Sequence, residues 1–124
     1  MNYWLKKLIL PGIVFILLDV VFILSQQKNF TNQILRVKNS TPQLRIWPAI
    51  FCYIFLIYSL YHFIIEPNRP VMDAFILGVA IYGVYETTNY STLKNWDLQT
   101  VLVDITWGGV LMSLTTFIAY NYIK

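Results

Sequence analysis

Four stretches of this chain, at about residues 4–24, 47–65, 71–86 and 98–122, are apolar on every side of a helical wheel. A soluble helix keeps a polar stripe to meet water, so helices hydrophobic all round belong in a core or a membrane. A bilayer crossing takes about 17–25 residues, a length that three of the four reach. The third, at 71–86, is shorter, so it is expected to stand upright or to thin the bilayer. Charged residues make up 12% of the chain, against about 25% in a soluble domain. Aromatic residues, at 17%, gather where apolar runs meet their flanks, as Trp and Tyr do at a headgroup interface. The expectation is an all-α fold: an integral, multi-pass membrane four-helix bundle with both termini on the same side. Residues 1–124 carry no internal repeat or linker and read as a single domain.

Lys6 and Lys7 ahead of the first apolar run resemble the start of a signal peptide. Asp19 interrupts that run, however, and Ser25-Gln26-Gln27 is no small-residue cleavage site. An uncleaved transmembrane helix follows, with Pro11-Gly12 able to kink it near its start. Residues 25–46 are a polar connection. Phe30, Ile34 and Val37 fall at i, i+4 and i+7, which suits a short interfacial helix as well as a structureless loop. Glu66-Pro67-Asn68-Arg69-Pro70 reads as a tight turn. Four spans place Lys6, Lys7, Arg69 and Lys124 on one side and Lys28, Arg36, Lys38, Arg45 and Lys94 on the other. That near balance gives the positive-inside rule nothing to choose between.

The net charge of +3 is small and scattered, which argues against a nucleic-acid surface. The lone cysteine, Cys52, cannot form an internal disulfide and reads as a small hydrophobe within a helix. Asn29-Phe30-Thr31, Asn39-Ser40-Thr41 and Asn89-Tyr90-Ser91 match glycosylation acceptors, as expected by chance in an Asn-rich chain. Ser91 and Thr92 read as turn and cap residues. No nucleophile elbow, phosphate-binding loop or paired-histidine motif is present, so neither a catalytic residue nor a cofactor is expected.

Carboxylates inside apolar runs are expensive in lipid and face protein or water. Asp19 lies about six residues before the end of the first helix, and Asp104 about six after the start of the fourth. At 1.5 Å per residue each sits roughly 9 Å below the same face. Glu86 ends the third helix on that face, and Tyr82, Glu86 and Asn89 share a side at i, i+4 and i+7. Lys94 is the natural counter-charge, and Trp107 adds an indole donor one turn beyond Asp104. Asp19, Tyr82, Glu86, Asn89, Lys94, Asp104 and Trp107 are therefore the candidate ligand-binding residues. The same group would equally serve as a polar lock between helices. At the opposite face His62 and Glu66 form an i, i+4 pair near Arg69 and Asp73, a set of ordinary pairs without the spacing of a metal site. Ala74 with Gly78, and Gly109, Ser113 and Thr116, form stripes of small residues that let the third and fourth helices approach closely.

Tyr85-Glu86-Thr87-Thr88-Asn89-Tyr90-Ser91-Thr92-Leu93-Lys94-Asn95-Trp96, followed by Val103-Asp104-Ile105-Thr106-Trp107-Gly108, resembles a family of small predicted membrane proteins known as a domain of unknown function. Its pattern runs tyrosine, acid, variable, Thr-Asn, variable, Ala-Thr-Leu-Lys, variable, Trp, and later Val-Asp, two variable positions, Trp-Gly. Asp19, Phe51-Cys52-Tyr53 and the proline after the second helix also resemble it. Ser91 stands where alanine is usual and Glu86 where aspartate is common. The resemblance implies a four-helix membrane architecture and no established activity.

Two functions from different classes follow. One is a membrane-embedded binding or translocation unit that holds a proton, a cation or a small polar solute on the acidic cluster. The other is a non-catalytic structural or accessory subunit of a larger assembly in a cellular or virion membrane, its buried charges serving as packing locks. An enzyme using the acids as general acid and base is a third and weaker reading. The expected partners are the lipid bilayer and either further copies of the chain or the subunits of a membrane assembly.

Overall fold

The structure, a computed structural model, describes the backbone of residues 3–38 and 46–123 and, within these, the side chains of 6–26 and 46–122. It is all helical: α1 (Tyr3–Lys38), α2 (Ile46–Leu60, running on through a widened turn at Tyr61–Ile65), α3 (Val71–Thr92) and α4 (Leu98–Ile123). Each contains a segment long and apolar enough to cross a membrane. In α1 that segment is Lys6–Gln26.

Two helices outrun the sequence expectation. No break separates the polar residues after Gln26 from α1, which continues in α conformation to Lys38 instead of ending near residue 24. The interfacial helix expected around Phe30 is thus an extension of α1, and Asn39 and the rest of 39–45 lie outside the described residues. In the same way α3 does not stop at Glu86 but runs to Thr92, 22 residues in all. At 1.5 Å per residue this spans about 33 Å, so the helix needs no thinned bilayer. Side-chain chemistry explains the extension. Thr87 donates to the carbonyl of Gly83, and Thr92 donates to that of Thr88 at 2.8 Å. These hydroxyls are satisfied within the helix and do not divert the backbone into a turn. The helix ends at Leu93, whose backbone is extended but whose N–H still bonds Asn89 O. The cap expected of Ser91 or Thr92 is supplied instead by Asp97, which accepts the N–H of Gln99 at 3.2 Å and opens α4.

The prolines shape the other connection. Neither Pro67 nor Pro70 can donate to a helical ladder, and the last turn of α2 widens. Glu66 N–H reaches Tyr61 O and Arg69 N–H reaches Ile64 O, each at 2.8 Å and each spanning five residues. Asn68 completes the turn at φ 61°, a left-handed conformation that asparagine tolerates. Tyr120 of α4 reaches Arg69 O at 2.6 Å and Ile64 O at 3.2 Å, so its single hydroxyl pins the turn to the end of α4.

The most extensive pairing is α3 against α4. Gly78 meets the backbone of Gly108, and a side chain on Gly108 would occupy the ring of Tyr82. Ala74 of α3 and Met112, Thr115, Thr116 and Ala119 of α4 are buried. Of the sequence stripe Gly109, Ser113 and Thr116, Gly109 lies in the α3–α4 seam next to Gly108, and a side chain on it would run into Phe75 and Val79. α1 lays Phe15 into the same core. α2 is the outer helix: it buries Leu60, Ile64 and Ile65 but leaves Trp47, Ile50, Phe51, Ile54, Phe55 and Tyr58 outward. Cys52 is exposed on this helix. A soluble protein would hide such a face, whereas acyl chains solvate it.

Candidate functional site

Helix arithmetic sets the depth of the site. Asp19 lies seven residues before Gln26, and Tyr53 seven after Ile46. Glu86 lies six before Thr92, and Asp104 six after Leu98. Every helix thus carries one polar side chain roughly 9–10.5 Å in from the same end of its span. Because α3 runs on, Glu86 is not at the rim, as expected from sequence, but level with the other two acids. All three are withdrawn from the surface, with 8% of Asp19, 0% of Glu86 and 9% of Asp104 exposed.

Asp19 is fully engaged. Its Oδ2 accepts the Tyr53 hydroxyl of α2 at 2.7 Å, and its Oδ1 accepts the Trp107 indole N–H of α4 at 3.0 Å. The Trp107 ring is itself held by stacking on Phe22, one turn along α1 from Asp19, with centroids 4.5 Å apart and planes 6° from parallel. One aspartate therefore ties three helices together through two neutral donors.

Glu86 is not saturated. The segment from Leu93 to Asp97 folds back over the end of α3, helped by a Trp96 N–H to Leu93 O bond of 3.2 Å. This places the Trp96 indole N–H 2.8 Å from Glu86 Oε1. Asp104 lies within hydrogen-bonding range of Glu86, and Asp19 lies within electrostatic range of Asp104. As carboxylates, Glu86 and Asp104 offer each other only acceptors. Glu86 Oε2 is accordingly buried with no donor among the described residues. Tyr82 packs its ring against Gly108 and lies within electrostatic range of Asp19, Tyr53 and Asp104.

The structure thus brings together Asp19, Tyr82, Glu86, Asp104 and Trp107. Asn89 is half-buried one turn rimward of Glu86 and makes no side-chain hydrogen bond to a described residue. Lys94 does not act as the counter-charge: it is exposed on the loop before α4, and no ion pair joins it to an acid among the described residues. The groups that meet the acids are indole and phenol donors, which enter a low-dielectric site at less desolvation cost than an ammonium. Tyr53 and Trp96 are the two members the sequence did not single out. Trp96 stands at the end of the motif begun by Tyr85-Glu86, which is the signal that could have found it.

The opposite end of the bundle holds ordinary pairs, though not the expected His62–Glu66 one. The widened turn moves the neighbour of Glu66 from i−4 to i−5, and Tyr61 donates to Glu66 Oε2 at 3.2 Å. Lys7 Nζ lies 3.9 Å from the same oxygen. His62 is exposed, its ring stacked 5.9 Å from Tyr58 and edge-on to Phe63. Arg69 binds Asp73 through Nε at 2.7 Å and Nη2 at 2.6 Å.

Residues 4–121 match the model of a family described as predicted membrane protein, DUF2177. The match covers nearly the whole chain, which belongs to that family and is a membrane protein with four helices capable of spanning the bilayer. No curated protein and no solved structure matches it.

Proposed function

We propose that this member of the family of predicted membrane proteins is a binding or translocation unit for a proton, a cation or a small polar solute. The bound species is held at Glu86 and Asp104, with Asp19, Tyr82 and Trp107 around them and Asn89 and Lys94 toward the rim. Residues 1–124 act as one domain, and with all four helices crossing, both termini fall on one side.

What supports this above all is Glu86, fully buried with one carboxyl oxygen lacking a donor among the described residues. An ionisable group at that depth is costly. A packing role is better served by apolar side chains of similar volume. Four helices of this length do not enclose a pore, so translocation uses an oligomer of the chain or alternating access. The test is Asp104→Asn in proteoliposomes, with proton, sodium, potassium and small-solute fluxes compared with wild type. Loss of one flux in a folded variant is the expected result. Unchanged flux of every species would remove the proposal.

A second function has one observation in its favour: both oxygens of Asp19 are taken by donors from other helices, as a packing lock requires. In that case the chain is an accessory subunit of a larger membrane assembly. Co-purification from native membranes at fixed stoichiometry with another protein, and no flux from the chain alone, would favour it.

A further inference from the structure

We infer that the species held is a proton, one shared between Glu86 and Asp104, and that it exchanges with water at the rim when the Trp96 indole leaves Glu86. This rests on the reading of that pair as the binding site, and it sharpens the substrate class by ligand count. Ca²⁺ takes about six to eight oxygen ligands. Here Tyr53 and Trp107 occupy both oxygens of Asp19, and Trp96 occupies Glu86 Oε1, all as hydrogen-bond donors that repel a cation. Glu86 Oε2 and the Asp104 carboxyl are left, which is three oxygens. Among the described residues no group of three His, Cys, Asp or Glu side chains is placed to hold a metal ion. A proton needs two oxygens. Set between Glu86 and Asp104, it removes one of two adjacent negative charges and supplies the hydrogen bond that Oε2 lacks.

The titratable groups nearest the pair are Asp19 from α1 and Tyr82 from α3, with Tyr53 of α2 held on Asp19, while α4 contributes Asp104 itself. None is a base that would take the proton as a resident cation, and Lys94 is exposed on the loop. The exit is set by Trp96. Its ring also lines an open cleft at the rim with Tyr90, Asn95, Asp97 and Leu98. The indole therefore stands between that cleft and Glu86 Oε1, carried on a loop and not on a helix. A swing of this one side chain connects the carboxyl pair to rim water, and its return isolates it.

The experiment is infrared spectroscopy of the full chain in proteoliposomes, with deuterium exchange and a lumenal pH dye read on the same samples. At neutral pH the wild type is expected to show a protonated-carboxyl C=O band that shifts on exchange into D₂O. Glu86→Gln and Asp104→Asn should each abolish or displace it. Trp96→Phe keeps a ring but deletes the N–H, and should speed the exchange of that band by about tenfold, the equivalent of one hydrogen bond. Absence of the band in wild type, or a band insensitive to both substitutions, overturns the shared proton. Exchange unchanged in Trp96→Phe overturns the gate. A sodium or potassium flux that depends on Asp104, with no protonated band, defeats this inference and leaves the binding proposal standing. A shared-proton band with no Asp104-dependent flux of any species does the reverse. If the neutral variants fail to fold, Glu86→Asp and Asp104→Glu, which preserve both acids, must keep a band of altered frequency, and an unaltered frequency in both counts against the pair.

Discussion

Gly78→Ala tests how the α3–α4 seam is built. A methyl group on Gly78 falls 2.6 Å from Gly108 C and 2.9 Å from Gly109 N, and it also overlaps Gly108 O. Ordinary carbon contacts run at about 3.5–4.0 Å, so the two helices must part by about 1 Å. Every atom met is backbone, and no rotamer change relieves the overlap. A gap of that size forfeits about a quarter to a half of the dispersion attraction along the seam. Overpacking generally costs about 1–3 kcal/mol, and with no flexible neighbour to yield, the upper end applies. About 3 kcal/mol is roughly a hundredfold in the folding equilibrium. The control lies five residues away: a methyl group on Gly83 meets nothing within 4 Å. Gly83→Ala is therefore neutral or stabilising by up to about 1 kcal/mol, through helix propensity. Reversible unfolding by SDS in mixed micelles, followed by tryptophan emission, separates the two. Equal transition midpoints for Gly78→Ala and Gly83→Ala would refute the reasoning, because the two differ only in what the new methyl group touches.

Three further substitutions probe the polar contacts. Asp19→Leu strips the acceptor from both the Tyr53 hydroxyl and the Trp107 indole, and should destabilise by about 2 kcal/mol or more in the same titration; a change under about 0.5 kcal/mol would show that these bonds carry nothing. Lys94→Gln removes an exposed charge with no ion pair to a described acid and should stay within about 0.5 kcal/mol. A loss as large as that of Asp19→Leu would reinstate Lys94 as the counter-charge. Tyr120→Phe deletes the donor to Arg69 O and should cost about 1 kcal/mol, read as faster hydrogen exchange of the Arg69 amide, which bonds Ile64 O; unchanged protection would contradict the pinning role of Tyr120.

The features legible in the sequence were those that a single local rule decides. Pro67 and Pro70 dictate a turn whatever surrounds them, and the long, mostly apolar run after Leu98, free of proline, dictates a long helix. The matching depth of Asp19 and Asp104 is legible because counting residues from a helix end needs no tertiary knowledge. The sequence alone ends α3 too early because Thr-Thr-Asn-Tyr-Ser-Thr has loop composition. What kept it helical was the return of threonine hydroxyls to carbonyls one turn back, which composition does not reveal. Charge alone points to Lys94 as the partner, whereas burial favours neutral N–H and O–H donors. Tyr53 figures in the sequence only within the family-like Phe51-Cys52-Tyr53 stretch, with nothing to give its role: an aromatic in an apolar helix reads the same whether it faces lipid or an aspartate on the next helix. The His62–Glu66 pair was lost to a backbone detail, since i, i+4 neighbours meet only where the helix keeps its ordinary pitch.

The contact between Glu86 and Asp104 can be observed without any substitution at the site. The chain has two glutamates, Glu66 and Glu86, and four aspartates, so carbon-13 labels on the carboxyl carbons of both types give few signals to assign. Solid-state NMR of the labelled chain in bilayers, with Glu66→Gln identifying the Glu86 signal, reads carboxyl proximity across the bundle. A cross-peak from Glu86 Cδ to Asp104 Cγ that survives Glu66→Gln is the predicted result. A Glu86 signal with correlations to no aspartate, in a chain that is otherwise folded, would contradict the convergence of these helices on one buried carboxyl pair.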